Sequence, residues 1–155
     1  TIQHAGVVVG LGGVAAHVLC KLPRDAEGYM GRLRCVQEIS AVTAACMMVK
    51  TSVFKAVGGF DEELKVAFND IDLCMKVRKY GVKIVFTPYA ELYHYESKSR
   101  GMEDTPEKQL RFSREVNCFR RKWERELLKG DPYYNPNLTL NNTDCSLRKQ
   151  EKNGD

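Results

Sequence analysis

The sequence has no long apolar run, no C-x-x-C pair, no internal repeat and little excess of either charge. Its longest apolar stretch, Ala41 to Val49 with Thr43 inside it, is too short to cross a bilayer. No signal-like segment is visible at the N-terminus, so the chain is expected to be cytoplasmic. The six cysteines stand at 20, 35, 46, 74, 118 and 145, without metal-site spacing, which argues against a zinc site. Cys46, Cys74 and Cys118 fall in apolar patterns and read as small buried hydrophobes. A formal charge of only +4, with both signs interleaved, gives no support for a nucleic-acid partner. What remains is ordinary for a globular domain: 155 residues, 43% hydrophobic and 28% charged, enough to bury a core.

The apolar pattern gives a coarse α/β reading. Ala5 to Val9 is a short apolar run bounded by glycine and reads as a buried strand. Residues 20 to 38, with Pro23, Gly28 and Gly31, read as a long loop. Ser40 to Lys50 is expected to be a strand leading to a short helix, Ser52 to Val57, that Thr51 caps and Gly58 ends. Asn69 is expected to cap a helix reaching Tyr80 and closed by Gly81. Strands are expected at Lys83 to Thr87 and Glu91 to Tyr95. Thr105-Pro106 marks a helix start, followed by an apolar stripe at Phe112, Val116, Phe119, Trp123 and Leu127. Residues 1–140 then form the domain, and the charged, unpatterned 141–155 reads as a disordered tail.

Four stretches carry possible chemistry, and each has a plain structural reading beside it. Asp70 and Asp72, at i and i+2, point to different faces of a helix and cannot act as one carboxylate dyad. Acids in a first turn also suit the helix dipole, so capping competes with catalysis. His94 lies between Tyr93 and Tyr95, where a lone histidine is more often a packed, hydrogen-bonded core residue than a metal ligand. Lys98, Ser99, Arg100 and Gly101 are either a solvated loop or a flap that neutralises a departing diphosphate. In Gly58-Gly59-Phe60-Asp61-Glu62 the glycines permit a tight turn, and Asp61 and Glu62 either accept from sugar hydroxyls or are exposed loop charges. Separately, Val7 to Ala15 imitates a dinucleotide fingerprint, G-x-G-x-x-A after a strand, but Pro23-Arg24-Asp25 interrupts before a second strand.

Taken in order, Gly58-Gly59-Phe60-Asp61-Glu62, Asn69-Asp70-Ile71-Asp72 and Glu91-Leu92-Tyr93-His94-Tyr95-Glu96-Ser97 resemble the C-terminal half of a family 2 glycosyltransferase catalytic domain of the GT-A fold. The likeness extends to bacterial enzymes of rhamnose-containing polysaccharide synthesis. It implies a partial GT-A fold, with a mixed sheet and flanking helices. It also implies inverting transfer of a sugar from a nucleotide-sugar donor to an acceptor hydroxyl, in surface polysaccharide synthesis. In the family's terms Asp70 is the catalytic base, and Asn69 stands where the family has glutamate. Asp72 is structural, with Lys76 as its partner one turn on. His94 matches a ligand of a divalent cation, Mn or Mg, whose other ligands lie in a DxD motif. No separate DxD precedes Asp70, so the cation site is incomplete in this chain. Lys98, Ser99 and Arg100 would face the donor diphosphate, and Asp61, Glu62 and Asn69 the acceptor. Arg120-Arg121-Lys122-Trp123 does not match the QxxRW of processive synthases, which points to transfer of single sugars. The resemblance further implies that the chain alone is inactive and that open sheet edges favour self-association into a homodimer. The rival readings are a non-catalytic glycan-binding module and a nucleotide-dependent oxidoreductase built on the Gly10 loop.

Overall fold

The computed structural model describes residues 1–95 and 104–149. Helix and strand are mixed, in agreement with an α/β class, but the strands are short. β1 (Val7–Val9) pairs antiparallel with β2 (Ala15–His17), and β3 (Gln37–Glu38) pairs antiparallel with β4 (Val85–Phe86). The mixed sheet expected from the resemblance is therefore not seen: among the described residues both sheets are two-stranded and antiparallel.

β1 is the centre of the molecule. Side chains alternate across a strand, so Val7 and Val9 enter one hydrophobic cluster while Val8 enters another. Both faces are covered, which is why three valines in a row occur here with no polar alternation. The first cluster joins Val7 and Val9 to Ile71, Cys74, Met75, Phe119 and Trp123. The second joins Val8 to Leu11, Val18, Leu33, Tyr134, Leu138 and Cys145.

The helices are α1 (Thr51–Ala56), α2 (Asn69–Lys79), α3 (Pro106–Lys122) and α4 (Glu124–Lys129). α2 is buried nearly all round: Ile71 to Met75 and Val77 are buried. Thr105 caps α3 as expected, accepting from the Lys108 N–H at 3.4 Å, with Pro106 in the first helical position. The apolar stripe holds in its middle. Phe119 and Trp123 are buried and Val116 and Leu127 pack against them, whereas Phe112 is 43% exposed. The helix breaks at Trp123, whose backbone leaves the helical region (φ −114°, ψ 23°), before α4 begins.

Several expectations are corrected. Ser40 to Lys50 is not a strand. Ala41 makes one isolated bridge to Val7, and the chain then turns through a 3-10 segment at Ala44–Cys46 that Thr43 caps. Thr43 and the small residues after it favour that turn, because a capping hydroxyl competes with strand pairing. Cys46 is exposed there and Cys118 is half-buried; of the three cysteines expected inside, only Cys74 is buried. Residues 91–95 form no strand, and the Lys83 to Thr87 strand shrinks to Val85–Phe86. Gly10 does not open a long helix. It starts a short 3-10 turn that closes the β1–β2 hairpin, so the fingerprint lacks the helix N-terminus that would receive a pyrophosphate. Residues 141–149, expected to belong to a disordered tail, fold back instead. Leu147 bridges Leu138, the Thr139 N–H donates to the Ser146 carbonyl at 2.8 Å, and Cys145 is buried.

Candidate active site

The two carboxylates at the start of α2 have opposite surroundings. Asp72 is fully buried. Its Oδ1 accepts from the Trp123 indole N–H and from Lys122 Nζ, each at 2.8 Å, and Lys76 Nζ lies 3.2 Å from Oδ2. The expected Asp72–Lys76 pair is thus present, and Lys122 and Trp123 extend it. The two lysines then reach the glycine turn: Lys76 Nζ donates to the Gly59 carbonyl, and Lys122 Nζ bonds Asp61 Oδ2. Burial works against the charge on Lys122, but its bonds to Asp61 and Asp72 outweigh this and raise its pKa. The Lys122 bond, with a second from the Glu63 N–H, holds the Asp61 carboxyl below its usual range.

Asp70 is only half-buried. Oδ2 accepts from the Ala44 N–H at 3.0 Å and Oδ1 from the Ile71 N–H at 2.9 Å. A carboxylate has about four acceptor positions, and these two bonds leave the others open. Asp70 has no cationic partner among the described residues.

The backbone that presents Asp70 is strained. Phe68, just before α2, sits in the left-handed region at φ 64°, which is a rare position for a bulky residue. Asn69 therefore does not cap the helix as expected; Phe68 occupies that position without a side-chain bond. Two contacts hold it there. The Phe68 ring lies 5.3 Å from that of Phe119 and 5.8 Å from that of Phe112. The buried Glu115 accepts from the Val66 and Ala67 N–H groups at 3.1 and 2.9 Å. Nothing in the sequence marked Glu115, because an acid in the middle of a charged helix looks like a surface residue.

The other expected site residues spread out from this point. Asn69 and Glu62 have no side-chain partner among the described residues, and Glu62 is exposed. Asp61 belongs to the turn held by Lys122. In that turn Gly59 takes φ +65°, and a Cβ there would come within 3.1 Å of the Phe54 ring, so glycine is required. His94 is exposed, as are Leu92, Tyr93 and Tyr95 around it, so it is not a packed core histidine. Its Nδ1 lies 2.8 Å from Gln3 Oε1. With a carbonyl oxygen accepting there, Nδ1 is the donor; in the neutral ring this tautomer leaves the lone pair on Nε2, the arrangement common to metal-binding histidines. No group of three or more His, Cys, Asp or Glu side chains able to hold a metal ion occurs among the described residues. Lys98, Ser99 and Arg100 lie outside the described residues.

Sequence reasoning also passed over His4 and His17, which lie 13 residues apart with no motif between them. They meet at 3.0 Å, Nδ1 to Nδ1, and the Thr43 N–H donates to His4 Nε2 at 3.4 Å. The Asp70 loop and the His94 contact are therefore joined through two short segments, residues 3–4 and 43–44. No helix among the described residues is long and apolar enough to cross a membrane.

The chain is similar to parts of much longer proteins. It is 58% identical over 147 residues to the uncharacterized protein y4gI of Sinorhizobium fredii, covering 94% of this chain and 16% of that protein. It is 38% identical over 156 residues to the O-antigen biosynthesis protein RfbC of Myxococcus xanthus, covering 100% of this chain and 12% of that one. Over 62 residues it is 36% identical to the N-acetylglucosaminyl-diphospho-decaprenol L-rhamnosyltransferase of Mycobacterium tuberculosis, covering 40% of this chain and 20% of that enzyme. The chain thus spans less than a fifth of the first two relatives' length. No protein-family profile matches it, and no solved structure does.

Proposed function

We propose that the chain is the acceptor-side part of a GT-A, family 2 glycosyltransferase that moves a sugar from a nucleotide-sugar donor to an acceptor hydroxyl, with inversion, in surface polysaccharide synthesis. The observation that carries the reading is the division of labour at α2. Asp72 is sealed in the core by Trp123 and two lysines, while Asp70, two residues away, stays half-buried with free acceptor positions. Likeness to proteins named for O-antigen biosynthesis and rhamnosyl transfer supports the same class.

In this reading Asp70 takes the proton of the acceptor hydroxyl as its oxygen bonds to the anomeric carbon. The bond from that carbon to the diphosphate oxygen breaks, and the nucleoside diphosphate leaves with the electron pair. Asn69 and Glu62, without a side-chain partner among the described residues, are the groups available to acceptor hydroxyls. Asp61 is committed to Lys122 and shapes the turn beside them. A divalent cation, Mn or Mg, would neutralise the diphosphate charge when bound. His94 Nε2 fits one of its ligand positions, and the rest would come from outside this chain. Lys98, Ser99 and Arg100 belong to the same reading as diphosphate contacts. Open edges of the short sheets support self-association as a further part of it. A cytoplasmic place, where nucleotide sugars are made, fits the same chemistry.

Calorimetric titration of Mn²⁺ with UDP and then with dTDP tests the donor side, with His94→Ala alongside. In a longer, active polypeptide that supplies the remaining ligands, metal-dependent binding lost in the variant is the expected result; binding by this chain alone is expected to be absent or weak. Binding that persists unchanged in His94→Ala overturns the ligand assignment. Transfer unaffected by Asp70→Asn in a longer, active polypeptide overturns the base.

A further inference from the structure

All three histidines of the sequence meet around residues 3 and 4. The His4 and His17 rings stand edge-on, with centroids 4.9 Å apart and an interplanar angle of 82°. Two imidazole nitrogens at 3.0 Å share one proton: one donates and the other accepts. The Thr43 N–H donates to His4 Nε2, so that nitrogen holds the lone pair. His4 Nδ1 then carries the proton and donates to His17. The next amide of the same loop, Ala44 N–H, donates to Asp70 Oδ2. Consecutive N–H groups are therefore taken by an imidazole from the N-terminal segment and a carboxylate from α2.

We propose that His4, fixed in its tautomer by His17, is a positioning residue for Asp70, holding the Thr43–Ala44 backbone so that the Ala44 N–H meets the carboxylate. The proposal rests on the reading of Asp70 as base, and it names two residues that the motifs did not contain. Without this hold, the exposed 3-10 turn at Ala44–Cys46 is left with long local bonds, the Thr43 cap at 3.5 Å and the Cys46 N–H to the Thr43 carbonyl at 3.4 Å, beside the Ala44 bond to Asp70 itself. Burial, and then the charge of His17, push the His4 pKa down to about 4. The ring accordingly stays neutral and its acceptor stays available near neutrality. The titratable groups joined to this arrangement by hydrogen bonds include His17 on β2, Asp70 on α2, Cys20, whose Sγ donates to the Gln3 carbonyl at 3.1 Å, and His94 through Gln3 Oε1.

NMR of the chain tests this without any assay of transfer. The ¹⁵N shifts of the His4 ring are expected to report a protonated Nδ1 and a bare Nε2; the opposite tautomer overturns the proposal. Exchange of the Ala44 amide is then compared in His4→Phe, which keeps a ring but no acceptor, and His4→Gln, whose Oε1 can occupy the Nε2 position. His4→Phe is expected to speed exchange about tenfold or more, and His4→Gln to stay within about threefold of the wild type. The amides of Val8 and Phe119 report whether the fold is intact. Unchanged Ala44 exchange in His4→Phe, or equal acceleration in both variants, overturns the proposal. Should His4→Phe fail to fold, the tautomer of the unmodified chain still decides. A failure of Asp70 as base would appear separately, as transfer indifferent to Asp70→Asn.

Discussion

Replacing Asp72 with alanine removes the acceptor at the centre of the α2–α3 contact. The carboxylate is fully buried and serves Trp123, Lys122 and Lys76 at 2.8, 2.8 and 3.2 Å. Breaking a buried ion pair from one side costs about 3–5 kcal/mol, because the remaining charge loses its partner without regaining water. Here the two lysines keep other acceptors, Asp61 and the Gly59 carbonyl, which favours the lower end. The indole N–H has no second acceptor among its recorded contacts, and an orphaned buried donor costs about 1–3 kcal/mol. A loss of about 3–4 kcal/mol follows, which corresponds to roughly 10 °C in Tm for a chain of this size. Thermal melting followed by circular dichroism measures it. Asp72→Asn is expected to lose less, since the amide oxygen still accepts from Trp123. An Asp72→Ala melt within about 2 °C of the wild type would refute the reasoning, because a shift that small corresponds to about 1 kcal/mol or less.

The remaining predictions concern Glu115, pH and His94. Glu115→Ala leaves the Val66 and Ala67 N–H groups unpaired and the strained Phe68 less constrained; a loss of about 2–4 kcal/mol is expected by urea unfolding, with faster exchange of the Asn69 and Asp70 amides. His4 takes up its proton with a pKa of about 4 in the folded chain against 6.5 unfolded, so the unfolded state binds more protons between those values. Stability is therefore full above about pH 6.5 and falls as the pH drops toward 4, by about 3 kcal/mol at most. His4→Gln should abolish that slope in denaturation measured across the window; a slope that survives would assign it to another group. His94 is exposed and its side chain bonds Gln3, so His94→Ala should melt within about 1 °C of the wild type, while in a longer, active polypeptide metal-dependent nucleotide binding is lost.

Elements with local causes were legible in the sequence. Thr105-Pro106 starts α3 because a hydroxyl cap and a fixed φ act within one turn. Asn69 to Tyr80 was expected as a helix from a cap at Asn69 and a stop at Gly81; the structure agrees to within a residue, although Phe68 rather than Asn69 stands at the capping position. The difference between Asp70 and Asp72 was half visible: spacing put them on different faces, but which face was buried depended on Trp123 and Lys122, some 50 residues away. The Ser40 to Lys50 segment misled because apolar residues suit a strand as well as a loop packed against one. Burial of Leu147's neighbour Cys145 was equally hidden, since the polar residues around it carry no period.

The sequence by itself determined the extent of α2, the start of α3, the tight glycine turn before α2 and the presence of an acid at each key position, because these follow from spacing, capping and backbone sterics between near neighbours; the break between α3 and α4 at Trp123 it did not. Only the tertiary structure decided which acid is sealed and which is open, that Glu115 is buried on the loop leading into α2, and that His4 and His17 meet beside the Asp70 loop. Those outcomes depend on contacts between residues 13 to 51 positions apart. No local pattern records them, because each residue's burial is set by what the rest of the chain brings against it.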